Sequence, residues 1–403
     1  MTARAHPQQA SHGAQPEVQL ARDAMRELLP AIRGRAQQAE SDKCVPAQTI
    51  AELRKSNFFK LLRPTCHGGY GQDYRELAAL NIELAQACAS TAWVAGQLAS
   101  HQWVAALFEA QAQQELWGGN KDALIGAVFV PSAGAATVEG GYRLGGRWTF
   151  ASGCDHADWS LLGAMMKTES GETEPALMLV PAADYSIDRC WNVSGLAATG
   201  SHTLVLNDVF VPRHRVIRLA DAVAGSTPGA RLYAGDARYS VPMLCNLPSC
   251  LASVAIGAAQ GALQDYIAEM RARRTQAGGG NRMAELTTIQ VRVAEASAAL
   301  DAATEILLRD LDRRIATLRS GRELTIEDRL ASRRGHAYSA ALALRASETL
   351  NVSTGGHGLD LANPVQRAWR DVNAAVRHIG LNWDVVGTLF GQHQLGLTPK
   401  GQY

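Results

Sequence analysis

The sequence lacks the motifs that mark several common enzyme classes. It contains no Walker phosphate-binding loop, no G-x-G-x-x-G motif after a strand and no H-E-x-x-H motif. These absences leave no visible segment for a nicotinamide cofactor or a P-loop nucleotide. Cys154, His156 and Asp158 lie in one loop and have no partners at ligand spacing elsewhere. We therefore predict no metal site.

The composition also lacks an excess of charge and a long hydrophobic run. The 403 residues include 39 Lys and Arg against 38 Asp and Glu, a net charge of +1. This balance argues against nucleic acid and an anionic membrane surface as main partners. The longest apolar stretch, Leu247 to Leu263, is interrupted by Ser, Gly and Gln and is short for a bilayer span. Residues 1–16 have no apolar segment of a signal peptide.

The seven cysteines are odd in number, scattered and without a C-x-x-C pair. That usage is typical of reduced thiols rather than of a disulfide framework. Together with the missing signal peptide, it predicts a soluble, cytoplasmic protein.

The hydrophobic pattern divides the chain into three domains after a short tail. We predict a disordered tail over 1–17, a helical domain over 18–120, a central β domain over 121–225 and a helical bundle over 226–403. Apolar residues recur at three- and four-residue steps from Ile289 to Leu318, which is typical of a bundle helix. Gly140-Gly141 separates two β-like segments and predicts a hairpin.

Two stretches of the β domain are suited to a planar ligand. In the loop from Trp191 to Ser201, two glycines permit close approach, and Thr199 and Ser201 offer hydroxyls. The segment from Trp148 to Gly153 offers two aromatic rings and a serine. Taken alone, the first is more typical of a glycine-containing β-hairpin, and the second could equally be a strand that ends in a turn.

A third feature lies on the helix before the β domain. Trp93, Gln97 and His101 fall on one stripe at intervals of four residues. His101 is a candidate for catalysis or substrate binding. The alternative is a core histidine that bonds to a backbone carbonyl.

The order of helices, β domain and bundle resembles the acyl-CoA dehydrogenase superfold. The landmarks are Trp148 to Gly153, Gly195 to Ser201 with Val211-Pro212, and Gln366 to Asp371, and the resemblance covers residues 20 to 397. It implies an α+β multidomain fold with an N-terminal helical domain, a central β-barrel-like domain and a C-terminal four-helix bundle. It further implies a flavin held between the β domain and the bundle, and a homotetramer.

The superfold includes two chemistries, and one position distinguishes them. Many family dehydrogenases carry a catalytic Glu nine residues after the Arg of an Arg-Asp pair. Here that position is Ile379, next to His378, and no Asp or Glu occurs between Asp371 and Asp384. The sequence is closer to the group D branch, the reduced-flavin-dependent monooxygenases of two-component systems that hydroxylate aromatic and polyketide substrates.

Membership of that branch would imply an oxygenase component that uses reduced flavin, FMNH₂ or FADH₂, and O₂ through a C4a-hydroperoxide. A separate flavin reductase would be the protein partner, and an aromatic or polycyclic small molecule the substrate. A dehydrogenase with an unrecognised base, an N- or S-oxygenating relative and an inactive flavin-binding scaffold remain as alternatives.

The resemblance also implies roles for individual residues. Ser152 would bond flavin N5, and His378 would act as the base for a phenol that His101 positions. The residues expected around the flavin ring are Trp148, Phe150, Ser152, Thr199 and Ser201. Arg274, Gly355 and Gly356 would meet its phosphate or ribityl end, across a subunit boundary.

Overall fold

The structure, a computed structural model, describes residues 16–167, 171–275 and 280–403. The first helix begins at Pro16, where proline is tolerated because the first N–H of a helix needs no partner. Residues 16 and 17 are therefore helical, and the prediction of a tail up to residue 17 was wrong for them; residues 1–15 lie outside the described part. The N-terminal helices are α1 Pro16–Asp42, α2 Ala47–Lys55, α3 Tyr74–Ala87, α4 Ala89–Ala105 and α5 Ala110–Gly118.

In the described part of the chain, seven strands follow and form one mixed sheet in the order β5-β6-β2-β1-β3-β4-β7. Strands β1 and β3 are parallel, and the other neighbours are antiparallel. The Gly140-Gly141 hairpin between β1 and β2 is confirmed, with Gly140 at φ 76°. The strands are β1 Ile125–Val138, β2 Gly141–Ala151, β3 Trp159–Lys167, β4 Thr173–Pro181, β5 Ser186–Asp188, β6 His202–Pro212 and β7 Val216–Arg218.

The sheet is open, whereas the sequence predicted a barrel-like domain. Its two edge strands, β5 and β7, are three residues each, and each pairs with a neighbour on one side only. Strands this short give the sheet no edge long enough to close on itself.

The C-terminal region is helical. The buried residues of α9 include Ile289, Leu300, Leu307 and Ile315, which confirms the predicted bundle spacing. The helices are α6 Leu219–Ala224, α7 Pro228–Leu232, α8 Met243–Ala272, α9 Thr287–Arg319, α10 Ile326–Ser353, α11 Pro364–Ala375 and α12 Trp383–Gln394.

Helix α8 is the centre of the molecule. Its length and apolar composition would permit a membrane span, but 83% of its most apolar window is buried inside the structure. It packs against α3 and α4 of the N-terminal domain and against α9, α10 and α11 of the bundle. This helix therefore joins the two helical regions into one core, with the sheet packed beside α4.

The strands lie within the predicted β domain of 121–225, and helices occupy both flanks. The exact domain boundaries stay a prediction.

Candidate functional site

Helix α4, the turn after β2 and the loop before β6 meet at a row of hydrogen-bonded side chains. The indole Nε1 of Trp93 donates to Ser152 Oγ at 3.0 Å. Ser152 Oγ lies 2.7 Å from Ser201 Oγ, and Ser201 Oγ lies 2.7 Å from Thr199 Oγ1. The structure thus brings together three of the predicted flavin-site residues, all buried, and adds Trp93 to them.

Phe150 presents its ring to solvent at the mouth of this cluster. It is 70% exposed and packs edge-on against Trp191, with ring centroids 5.9 Å apart. Its backbone has φ 65°, an unfavourable conformation for an aromatic residue that functional sites often retain. Phe150 and the half-buried Trp191 therefore form an aromatic wall next to the hydroxyl groups.

Trp148 does not belong to that wall, and its predicted role in the flavin site is corrected. Its ring is 0% exposed, and its Nε1 donates to the carbonyl of Gly163 at 2.7 Å inside the sheet core. Residues two apart in a regular strand share a face, so Trp148 and Phe150 would lie together if the strand were regular. The positive φ at Phe150 and the register shift after Trp148 break that alternation.

Helix α11 holds the loop that carries Thr199 and Ser201. Asp371 Oδ1 accepts the Leu196 N–H at 2.6 Å, and Arg370 donates to the Ser194 carbonyl at 2.6 Å. A Cβ on Gly195 would lie 2.1 Å from the Arg370 carbonyl oxygen, so only glycine permits this approach. Burial raises the pKa of Asp371 to about 6. The Arg-Asp landmark thus fixes the loop, a role that the sequence did not assign to it.

His378 lies beside the indole of Trp93, with ring centroids 6.1 Å apart. The residue is exposed, yet surrounding protein atoms desolvate its ring and, together with the positive charge of Arg333, lower its pKa to about 4. Its Nδ1 accepts the Gly380 N–H at 3.1 Å, so the neutral ring carries its proton on Nε2. Toward a ligand, His378 is a hydrogen-bond donor.

His101 has the opposite hydrogen-bonding role, because its free ring nitrogen accepts. Its Nδ1 lies 2.8 Å from the carbonyl oxygen of Ile125, which can only accept, so Nδ1 carries the proton. The residue is 2% exposed, and burial lowers its pKa to about 4. The bond to Ile125 is the contact expected of a core histidine. It leaves Nε2 as an unprotonated acceptor, with no hydrogen bond to another described residue.

Helix α4 runs from Trp93, which contacts His378, to His101. Every residue of α4 is described, and Gln97 alone is not buried. Trp93 and His101 flank it on the same helical face, about 12 Å apart along the helix axis. Phe129 adds an aromatic ring 5.4 Å from His101. The arrangement fits a flat aromatic molecule with a polar edge.

The predicted phosphate-end residues lie at a different surface. Arg273 donates to the Thr354 carbonyl at 2.8 Å and so joins the chain after α8 to the segment that begins at Gly355. Arg274 and the exposed Gly355 and Gly356 therefore belong to neighbouring segments. No hydrogen bond between described residues connects them directly to Ser152, and their role stays a prediction.

Comparison with known proteins gives consistent similarities. The family models of the acyl-CoA dehydrogenase N-terminal and C-terminal domains match residues 15–117 and 249–383. The chain is 52% identical over 380 residues to the oxygenase component of an FADH(2)-dependent resorcinol hydroxylase from Rhizobium sp. (strain MTP-10005), covering 92% of this chain and 93% of that protein.

Two solved structures have the same fold. The crystal structure of 3-HSA hydroxylase from Rhodococcus sp. RHA1 superposes with a TM-score of 0.90 at 33% identity, covering 97% of this chain and 100% of that one. XiaF from Streptomyces sp., in complex with FADH2 and glycerol, gives a TM-score of 0.86 at 27% identity, covering 96% and 97%.

Proposed function

The chain belongs to the acyl-CoA dehydrogenase family, and from that membership we propose that it is the oxygenase component of a two-component flavin-dependent monooxygenase that hydroxylates a phenol. The observation that carries this proposal is that His101, on helix α4, leaves a nitrogen that accepts a hydrogen bond, whereas His378, beside Trp93 of the same helix, leaves one that donates. A dehydrogenase would instead need a carboxylate facing the substrate. Asp371 is buried and bonded to the Leu196 N–H, so it does not meet that need.

The residues around Ser152 fit a reduced flavin. Phe150 and Trp191 offer an aromatic surface to a planar ring, and Ser152 would hold flavin N5 at the polar edge of that ring. When bound, the reduced flavin activates O₂ and supplies the oxygen atom. We propose reduced FAD as the cofactor because two relatives carry FADH2 in their names, with reduced FMN as the alternative.

The two imidazoles bind the same phenol oxygen, one as acceptor and one as donor. These roles are opposite to those expected from the sequence. His101 Nε2 accepts the hydroxyl hydrogen, and His378 Nε2–H donates to the same oxygen. An imidazole with a pKa of about 4 is a weak base toward a phenol of pKa about 10. It suffices once oxygen adds to the ring, because the phenolic hydroxyl of the attacked ring is strongly acidic. An N- or S-oxygenation would need no such acceptor.

The substrate that we propose is a one-ring phenol, with resorcinol as the first compound to test. The support is the name of the relative that is 52% identical to this chain, a resorcinol hydroxylase. A separate reductase supplies the reduced flavin, since that relative is named as an oxygenase component.

We further propose a cytoplasmic homotetramer. Several large apolar side chains near the C-terminus are exposed in the single chain, and a second copy would bury them. They are Val352, Leu359, Leu361, Ile379, Leu395 and Leu397. Gly355 and Gly356 lie in the same region, so an adjoining subunit would complete the predicted phosphate end. Light scattering of the purified protein tests the assembly.

The activity is tested with purified protein, chemically reduced flavin, resorcinol and air. We expect a product with one added oxygen atom, which comes from ¹⁸O₂ when that gas is used. The protein alone should not oxidise NADH. Turnover of acyl-CoA thioesters without hydroxylation of any phenol would instead establish a dehydrogenase.

A further inference from the structure

The hydroxyl groups beside the proposed flavin site form a chain with one direction. Thr199 Oγ1 donates to the Leu196 carbonyl at 2.9 Å, and that carbonyl can only accept. The single hydroxyl proton of Thr199 is then used, so the contact between Ser201 and Thr199 requires the proton of Ser201. By the same count, the contact between Ser152 and Ser201 requires the proton of Ser152.

Three hydroxyl protons therefore serve three contacts, and only one arrangement satisfies all of them. Ser152 also accepts the indole N–H of Trp93, a group that can only donate. Toward any further group, Ser152 Oγ can therefore accept a hydrogen bond but cannot donate one. All of these side chains are buried, so water cannot readily replace a missing bond.

The carbonyl that sets the direction is itself fixed. Leu196 has φ 52°, and its N–H is held by Asp371. The same carbonyl accepts the backbone N–H of Thr199 at 3.1 Å and the indole N–H of Trp191 at 3.3 Å. Because the loop is fixed to α11, the Leu196 carbonyl that accepts from Thr199 cannot turn away from it.

We propose that Thr199 and Ser201 hold Ser152 as an obligate acceptor and thereby make the site select the reduced over the oxidised flavin. This inference rests on the proposed function, which places flavin N5 at Ser152. In reduced flavin N5 carries a hydrogen and donates, whereas in oxidised flavin N5 has only a lone pair. The reduced form completes the chain, and the oxidised form requires one of the three hydroxyl contacts to break.

The expected size follows from one buried hydrogen bond. Its loss changes an equilibrium constant by about tenfold, so the chain should contribute about tenfold to the ratio of oxidised to reduced dissociation constants. By linkage, a tenfold ratio raises the two-electron midpoint potential of bound flavin by about 30 mV.

The test replaces Thr199 by Val, a side chain of similar shape without the hydroxyl. In Thr199→Val the proton of Ser201 is free to turn toward Ser152, which can then donate to oxidised flavin. Thr199→Ser keeps the hydroxyl and is the first control. Thr203→Val is the matched second control. It removes a buried threonine hydroxyl that contacts Cys190 and takes no part in the row of hydroxyl groups from Thr199 to Ser152.

Dissociation constants for oxidised and chemically reduced flavin are measured anaerobically, and the midpoint potential of the bound flavin is measured separately. We expect Thr199→Val to reduce the ratio about tenfold and to lower the potential by about 30 mV. Both controls should keep the wild-type values. If Thr199→Val binds both forms with the wild-type ratio, or if Thr203→Val changes the ratio equally, the inference is wrong. Failure of the wild-type protein to bind either form would contradict the proposed function itself.

Discussion

Replacing His101 by Asn separates its structural bond from its proposed chemical role. The Asn amide nitrogen can take the place of Nδ1 and donate to the Ile125 carbonyl, which avoids an unpaired buried acceptor. The variant loses the unprotonated Nε2. We therefore expect His101→Asn to fold normally and to lose most of its hydroxylation at neutral pH.

The size of the loss follows from the ionisation of the substrate. A phenol of pKa about 10 is about one part in 1,000 ionised at pH 7. If the variant hydroxylates only the phenolate, its rate should be about 1,000-fold lower at pH 7, within the range usual for a lost general base. The rate should then rise about tenfold per pH unit until the phenol is ionised.

His378→Ala should behave differently. It removes a donor to the phenol oxygen, and a hydrogen bond to a charged group contributes about 10- to 100-fold. Because His101 remains, the rate of this variant should show no comparable rise above pH 7. In the wild type, the rate should decline as the pH falls toward the His101 pKa of about 4, because the protonated ring cannot accept.

The assay measures hydroxylated product and H₂O₂ over pH 6 to 10, with reduced flavin supplied chemically. Thermal unfolding establishes that each variant is folded, and His393→Ala, at a half-buried histidine in the last turn of α12, is the control. A rise of rate with pH in His378→Ala, together with a flat profile in His101→Asn, would refute the assignment and restore the roles expected from the sequence.

Three further predictions concern the hydroxyl cluster and its loop. Ser152→Ala should keep the fold but raise the ratio of H₂O₂ to product severalfold, since a hydrogen bond of about 1 kcal/mol is lost; an unchanged ratio would count against its role. Gly195→Ala should weaken flavin binding and lower the melting temperature, because its Cβ would lie 2.1 Å from the Arg370 carbonyl oxygen; calorimetry with and without flavin measures both effects. Asp371→Asn keeps an acceptor for the Leu196 N–H. Because the folded pKa is raised to about 6, the wild type should lose stability relative to the variant as the pH rises from 4 to 6, by at most about 3 kcal/mol, which urea unfolding of both proteins at the two pH values measures.

Much of the architecture was predictable from the spacing of apolar residues. The seam of α9 and the Gly140-Gly141 hairpin both follow from local patterns that tertiary contacts reinforce. The open sheet was not predictable, because closure depends on the length and pairing of edge strands such as β5 and β7.

The site was predictable as a set of residues but not as a set of orientations. Trp148 and Phe150 are two residues apart, and only the backbone shows that one ring faces the core and the other solvent. The protonated nitrogen of His101 depends on the Ile125 carbonyl, a partner 24 residues away. Trp93 was visible on the α4 stripe, but its bond to Ser152 depends on a contact between domains.

One helix, α4, positions two groups of the proposed site. Helix α4 supplies Trp93, which donates to Ser152, and His101, whose free nitrogen accepts. The helix is buried apart from Gln97, so these two groups cannot move independently. If the phenol hydroxyl is held at His101 and the oxygen atom arrives from the side of Ser152, the spacing along α4 determines which ring carbon is presented. Regioselectivity would then be a property of this helix, and a substrate that lacked the hydroxyl would lose its orientation as well as its activation.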